Sequence, residues 1–148
     1  EKGEILFAGR YKANQQLYGI SKQEIAKLGE NSGKIFFLEE NFSGLPLKVM
    51  FPKSKLIIVL PPTTDVLKDR LYTRDKSEEE CKGRLKASMV EIRAVVMNLN
   101  LMLNQGLVDM VVINEGFPED VGKRVAGAIG SNHKLVENFS LLAKTLKR

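Results

Sequence analysis

Residues 55–91 read KLIIVLPPTTDVLKDRLYTRDKSEEECKGRLKASMVE, and the reading of this stretch decides the fold. It opens on Leu56-Ile57-Ile58-Val59-Leu60, apolar throughout and rich in β-branched side chains. A short run of this kind predicts a strand covered on both faces, as in a parallel sheet. Pro61 and Pro62 stop the strand, because neither can donate to a ladder. Thr63 then offers a hydroxyl to cap a helix, and Asp65 puts a carboxylate into its first turn, against the positive end of the macrodipole. On that helix Arg70 and Arg74 sit four residues apart and share one face. Asp75-Lys76-Ser77 is a polar break, and Ser77 with Glu80 makes a capping box for the next helix, which carries Arg84. Three arginines thus gather around one turn, and guanidinium forks match phosphate oxygens two at a time.

The totals bound what the rest can be. A chain of 148 residues is one domain or most of one. Its formal charge of +5 suits phosphate or acidic partners but is too small and too scattered for duplex nucleic acid. The single cysteine, Cys81, excludes an internal disulfide and fits a reducing, cytoplasmic compartment. No apolar run approaches the roughly 18 residues that a membrane span requires. The first residue is Glu rather than Met, so the chain reads as a fragment, with any targeting signal upstream.

Outward from the central stretch, Ile5-Leu6-Phe7-Ala8 reads as a strand and Lys12 to Gln16 as a polar turn. Ser21 and Glu24 make another capping box, predicting a helix from Ser21 to Leu28. Ile35-Phe36-Phe37-Leu38 reads as a second buried strand. Glu39-Glu40-Asn41 lies at its carboxyl end, where open α/β sheets place ligands. A helix starting near Phe42 must be short, since Pro46 is tolerated only in a first turn.

From Glu78 a long helix is expected, about 40 Å in extent at 1.5 Å per residue and ending at Gly106. Cys81, Leu85, Ser88, Ile92, Val95, Leu99 and Met102 form its heptad-like seam. Its second half, Arg93 to Gln105, is apolar on more than one face. Either it is core, or it offers another chain an interaction face made by Val96, Met97 and Met102. Met110 to Ile113 reads as a third buried strand ending at Asn114. Pro118 opens a helix to about Gly130, and Leu135, Val136, Phe139, Leu142 and Leu146 mark a terminal amphipathic helix. His133 stands alone among polar residues, and no cluster has metal-ligand spacing.

The Pro61-Pro62, Arg70-Leu71-x-x-Arg74, Arg84 and Ala87-x-x-x-Glu91 pattern resembles guanylate kinases and their relatives. Leu17-Tyr18-Gly19-Ile20-Ser21 is similar to the family's Tyr-Gly-Thr-Ser turn, and Val112-Ile113-Asn114 to its Val-Ile-Val-Asn strand. The resemblance covers nearly the whole chain. It implies an α/β fold with a parallel-sheet P-loop-kinase-like core. Residues 1–32 would be the remnant of a small monophosphate-binding subdomain, and 33–148 the core and lid. The family's Gly-rich P-loop, with its Lys and Ser or Thr, has no match in these residues. That unit is expected to be missing, so ATP and magnesium would be held only if such a loop lay upstream.

By the same resemblance Tyr18, Arg70, Arg74 and Arg84 match phosphate-binding positions, and Asn114 the donor-nucleotide side. In an arbitrary sequence the arginines would read as solvated helix charge, and Asn114 as a strand-end cap. The positions that read guanine are altered. A Glu is replaced by Phe7, a hydroxyl residue by Ile20, and the Asp of Glu-x-Asp by Asn41. Guanine donors need carboxylate acceptors, so these changes imply lost base readout. The expectation is a degenerate guanylate kinase-like domain that works as a protein-interaction or scaffold module. It would meet protein partners, phosphorylated segments or nucleotides, without nucleic acid. Two alternatives stand beside it: the carboxyl-terminal portion of an active nucleoside monophosphate kinase, and a structural subunit of a larger assembly.

Overall fold

A computed structural model describes residues 4–10, 17–23, 25–26, 44–74, 77–131 and 135–146. The expected strand at 35–38, Glu39, Asn41, the break at 75–76, His133 and the side chains of Phe7 and Tyr18 lie outside the described residues. So does the expected subdomain boundary at 32/33. Two compact units are present, Glu1–Leu47 and Lys48–Arg148.

In the first unit, β1 (Ile5–Arg10) and β2 (Leu17–Ser21) pair antiparallel, with Phe7 opposite Ile20 and Gly9 opposite Tyr18. The register shifts between Ile5 and Phe7. Leu17–Ser21 is therefore a strand, not the turn its resemblance suggested. Its backbone groups find partners in the β1 ladder, and the Lys22 N–H donating to Glu4 O at 2.6 Å extends the pairing. Ile20 is buried, with 4% of its surface exposed.

Helix α1 (Gly44–Met50) carries Pro46 in its first turn, where a proline removes no helical hydrogen bond. In the second unit β3 (Ile57–Leu60) and β4 (Met110–Ile113) run parallel, Ile57 opposite Met110 and Leu60 opposite Ile113. The other edge of β4 meets the chain again at Val136, by a parallel bridge to Val111. The Val111 N–H donates to Leu135 O at 2.7 Å, and the Glu137 N–H to Val111 O at 2.9 Å. Strand β4 is thus buried along its whole length, as its apolar run predicts. Strand β3 is not. Leu56, Ile58 and Leu60 turn to the core, but Val59 is 51% exposed, so the expectation of cover on both faces is corrected. An apolar run has no period to tell which face is covered; among the described residues β3 pairs with β4, and β4 pairs with β3 and bridges to Val136.

The pairing at Leu135–Glu137 also corrects the expected terminal helix. Those residues are held extended by the β4 edge, and helix α5 is only Ser140–Thr145. Helix α2 (Thr64–Arg74) begins as its sequence predicts. Thr63 Oγ1 accepts the Val66 N–H at 3.2 Å, and Asp65 lies in the first turn.

Helix α3 (Glu78–Asn104) opens with Ser77 Oγ accepting the Glu80 N–H at 3.1 Å. It closes at Gly106, whose φ of 69° admits glycine without the Cβ clash. There the Gly106 N–H donates to Leu103 O at 3.2 Å and the Leu107 N–H to Met102 O at 3.0 Å, a Schellman ending. Along the seam Cys81, Leu99 and Met102 are buried, and Leu85, Ser88, Ile92 and Val95 half-buried. The core gathers Leu60, Leu99, Val108, Val111, Ile113 and Leu142 between this helix, the sheet and α5, and α4 (Pro118–Gly130) packs on β4.

The interaction face proposed from sequence is redistributed. Met102 is 8% exposed and lies in the core, and Val96 packs partly against it. At 100° per residue, Val96 falls about 40° from Ile92 and about 60° from Leu99, on the edge of the buried stripe, and Met102 is one turn beyond Leu99. Met97 does face outward, at 77% exposed, with Val90 and Leu101 also exposed.

At the amino ends of the strands, Asp109 ties three segments together. Its carboxylate accepts the Leu56 N–H at 2.8 Å and meets Lys48 at 2.9 Å and Lys55 at 3.6 Å. Burial pushes its pKa up, but the Leu56 amide and the two ammonium groups override that and hold it below the ordinary 3.8. A depressed carboxylate stabilises the fold above its unfolded pKa, and that contribution fades as pH falls through the lower folded value. Asp109→Asn is expected to cost on the order of 1 kcal/mol at pH 7 and to flatten the loss of stability below about pH 4. Urea melts of both proteins between pH 7 and pH 3 would check this; parallel curves would refute it.

Candidate functional site

Two parallel strands that end side by side leave a crevice beyond their carboxyl ends, because the chain leaves β3 and β4 in different directions. Here β3 runs into Pro61 and β4 into Asn114. The crevice is a cleft of about 240 Å³, lined by Val59, Leu60, Pro61, Leu67, Arg70, Leu71, Arg74 and Asn114. Most of that lining is apolar, and the exposed Val59 is part of it. Helix α2 supplies the arginines. Thr63 sets its first turn, the Thr64 N–H meets Thr145 Oγ1 at 3.4 Å, and Leu71 is buried against the fold. Arg70 and Arg74, one turn apart, are thereby presented at the cleft, both exposed.

Three of the residues singled out by sequence, Arg70, Arg74 and Asn114, are therefore brought together. Arg84 does not line the cleft. It lies on α3 with Nη2 3.1 Å from Glu80 Oε1. Ile20 is buried within the first unit, and Phe7 and Tyr18 are placed only by their backbone in the β1–β2 pair. Asn41 is not among the described residues.

Asn114 is held on both sides. Its N–H donates to Leu60 O at 2.7 Å, and the Glu115 N–H donates to Ile113 O at 2.8 Å. Gly116, with φ of 84°, then turns the chain towards α4. Arg124 on α4 donates Nη2 to Ile113 O at 2.9 Å and pairs through Nη1 with Glu137 Oε1 at 2.6 Å. The other oxygen of Glu137 accepts the Ile113 N–H at 2.7 Å. Sequence reading singled out neither Arg124 nor Glu137. They are 13 residues apart, and Glu137 fell in a segment read as helix.

Among the described residues no group of three or more His, Cys, Asp and Glu is placed to hold a metal ion. No helix among them is long and apolar enough to cross a membrane. An arginine pair and an amide in one cleft of otherwise apolar lining can bind a phosphate group by charge-assisted bonds and take an apolar group beside it.

Comparison with known proteins finds guanylate kinases. The chain is 26% identical over 132 residues to a guanylate kinase of Wigglesworthia glossinidia brevipalpis, covering 88% of this chain and 59% of that protein. It is 30% identical over 132 residues to a guanylate kinase of Oceanobacillus iheyensis, covering 88% and 58% respectively. The chain thus spans less than two thirds of the length of these curated relatives. No protein-family model matches it, and no solved structure does. The mixed helix–strand order with its small parallel sheet is compatible with a kinase-like α/β fold, and the similarity running through 88% of the residues supports a guanylate kinase-like domain in this chain.

Proposed function

We propose that this guanylate kinase-like domain is a binding and scaffold module that takes a phosphate-bearing segment of a partner protein in the Arg70–Arg74–Asn114 cleft and transfers no phosphate. One contrast carries the reading. Two arginines and an amide converge on the cleft, whereas Ile20, which stands where the resemblance implies a hydroxyl for base readout, is apolar and buried. A buried isoleucine offers no hydrogen bond to a guanine. With Phe7 and Asn41 at the other two base-reading positions, discrimination for guanine should fall by several kcal/mol, on the order of what unpaired polar groups cost. On the outer face of α3, Met97 and Leu101 are the residues that a partner chain would meet.

A second reading has its own support. Both curated relatives are guanylate kinases. In that reading the cleft belongs to a nucleoside monophosphate kinase whose ATP and magnesium are held by residues beyond these.

A coupled phosphotransfer assay with GMP and ATP, together with calorimetric titration of GMP, separates the two. The expected outcome for this chain is turnover no greater than the enzyme-free control and no micromolar GMP binding. Turnover well above that control, or a micromolar dissociation constant, would establish the kinase reading instead.

A further inference from the structure

We infer that Arg124 and Glu137 are positioning residues that fix the backbone from which the Asn114 side chain projects into the lining of the cleft. The inference deepens the proposed phosphate-binding reading and rests on it for its functional consequence, though not for its geometry. Strand β4 loses its ladder at Ile113, and Asn114 is the middle residue of a three-residue turn closed by the Glu115 N–H on Ile113 O at 2.8 Å. Turns of this size are common at strand ends and have one hydrogen bond to hold them. Here the turn has much more.

Arg124 Nη2 donates to Ile113 O at 2.9 Å and reaches Glu115 O at 3.5 Å, so the carbonyls before and after Asn114 face one guanidinium. Glu137 grips the same residue from the other side, with Oε2 on the Ile113 N–H at 2.7 Å and Oε1 on Arg124 Nη1 at 2.6 Å. Together with the Asn114 N–H on Leu60 O, the peptide groups on both sides of Asn114 are fixed. What remains free is the side chain's own rotation.

Bonds in which one partner is ionised are the stronger kind, and a rigid fork distributes them better than a flexible ammonium. Three separate segments supply this network: the end of β4, helix α4 and the strand-like segment at Glu137. All of it falls on the backbone of Ile113 and Glu115, the residues on either side of Asn114, which lines the cleft. By contrast, the ion-pair network of Asp109 with Lys48 and Lys55 holds the amino ends of the strands.

The test uses the ligand-free chain first. The side-chain amide pair of Asn114 is assigned in a 15N correlation spectrum by its loss in Asn114→Asp. It is then followed in Arg124→Lys, in Glu137→Gln and in Lys48→Met, which loosens the Asp109 network at the other end of the sheet. The expected result is that the Asn114 amide pair moves or broadens in the Arg124 and Glu137 variants and stays in place in Lys48→Met.

Binding of inorganic pyrophosphate is measured next. Arg124→Lys and Asn114→Ala should each weaken it by about tenfold, and the double variant by no more than either alone. An Asn114 signal unchanged in both Arg124→Lys and Glu137→Gln overturns the inference, whatever the binding. If both variants unfold, the network is a folding element and the inference falls as well. If the native chain fails to bind pyrophosphate, the phosphate-binding reading fails, while the spectrum still decides whether Arg124 and Glu137 position Asn114.

Discussion

Leu99→Ala is expected to lower the stability of this domain by about 2 to 5 kcal/mol, while Met97→Glu, two positions away, should change it by less than about 0.5 kcal/mol. Leu99 has no exposed surface and stands at the centre of the core made by α3, β3, β4 and α5. Truncating it removes transfer free energy and leaves a cavity that the sheet and two helices are too well anchored to fill. Met97 is turned some 200° away around the same helix and is 77% exposed, so a carboxylate there remains hydrated. Val96→Glu belongs with Leu99 rather than with Met97, because Val96 packs partly on the core and would bring a charge to its edge. Urea denaturation followed by circular dichroism measures all three. If Met97→Glu unfolded the chain, or Leu99→Ala left the midpoint unchanged, the assignment of faces on α3 would be wrong.

Removing both cleft arginines, as Arg70→Ala with Arg74→Ala, is expected to weaken binding of a phosphate-bearing probe roughly hundredfold, about tenfold for each. Both side chains line the cleft and both are exposed, so the fold itself should be little affected. Exposure also means that salt screens the attraction, and the difference between native and variant should shrink as ionic strength rises. Arg84→Ala should have a smaller effect on binding, because its guanidinium meets Glu80 on α3 and does not line the cleft. Calorimetry with a phosphopeptide or pyrophosphate at two salt concentrations gives the answer. A double variant that binds as tightly as the native chain would remove the arginines from the site.

The elements were legible from local signals wherever backbone and side chain settle the matter within a few residues. The Thr63 cap, the Ser77 cap and the Gly106 ending all stand where Thr-x-Asp, Ser-x-x-Glu and a lone glycine place them. The seam of α3 was legible because a period near 3.5 repeats over the 27 residues of the helix. The terminal segment was not. Leu135, Val136, Phe139 and Leu142 fit a helical stripe as well as they fit a strand followed by a short helix, and only the free edge of β4 decides between them.

The site divides in the same way. Arg70 and Arg74 on one helical face follow from spacing alone, as does the placement of Asn114 at a strand end. That these three meet in one cleft depends on the parallel register of β3 and β4, and so does the fact that Val59 lines that cleft instead of joining the core. Arg124 and Glu137 carried no signal at all, since a salt bridge between a helix and a distant extended segment has no spacing to read. By itself the sequence determined the helix caps, the buried stripe of α3, the apolar strands and the guanylate kinase-like pattern, because each is a property of neighbouring residues. Which face of each strand is covered, which α3 residues remain outside, and which charges surround Asn114 were decided by the tertiary structure. Burial and ion pairing are relations between segments far apart in the chain, and only packing brings those segments together.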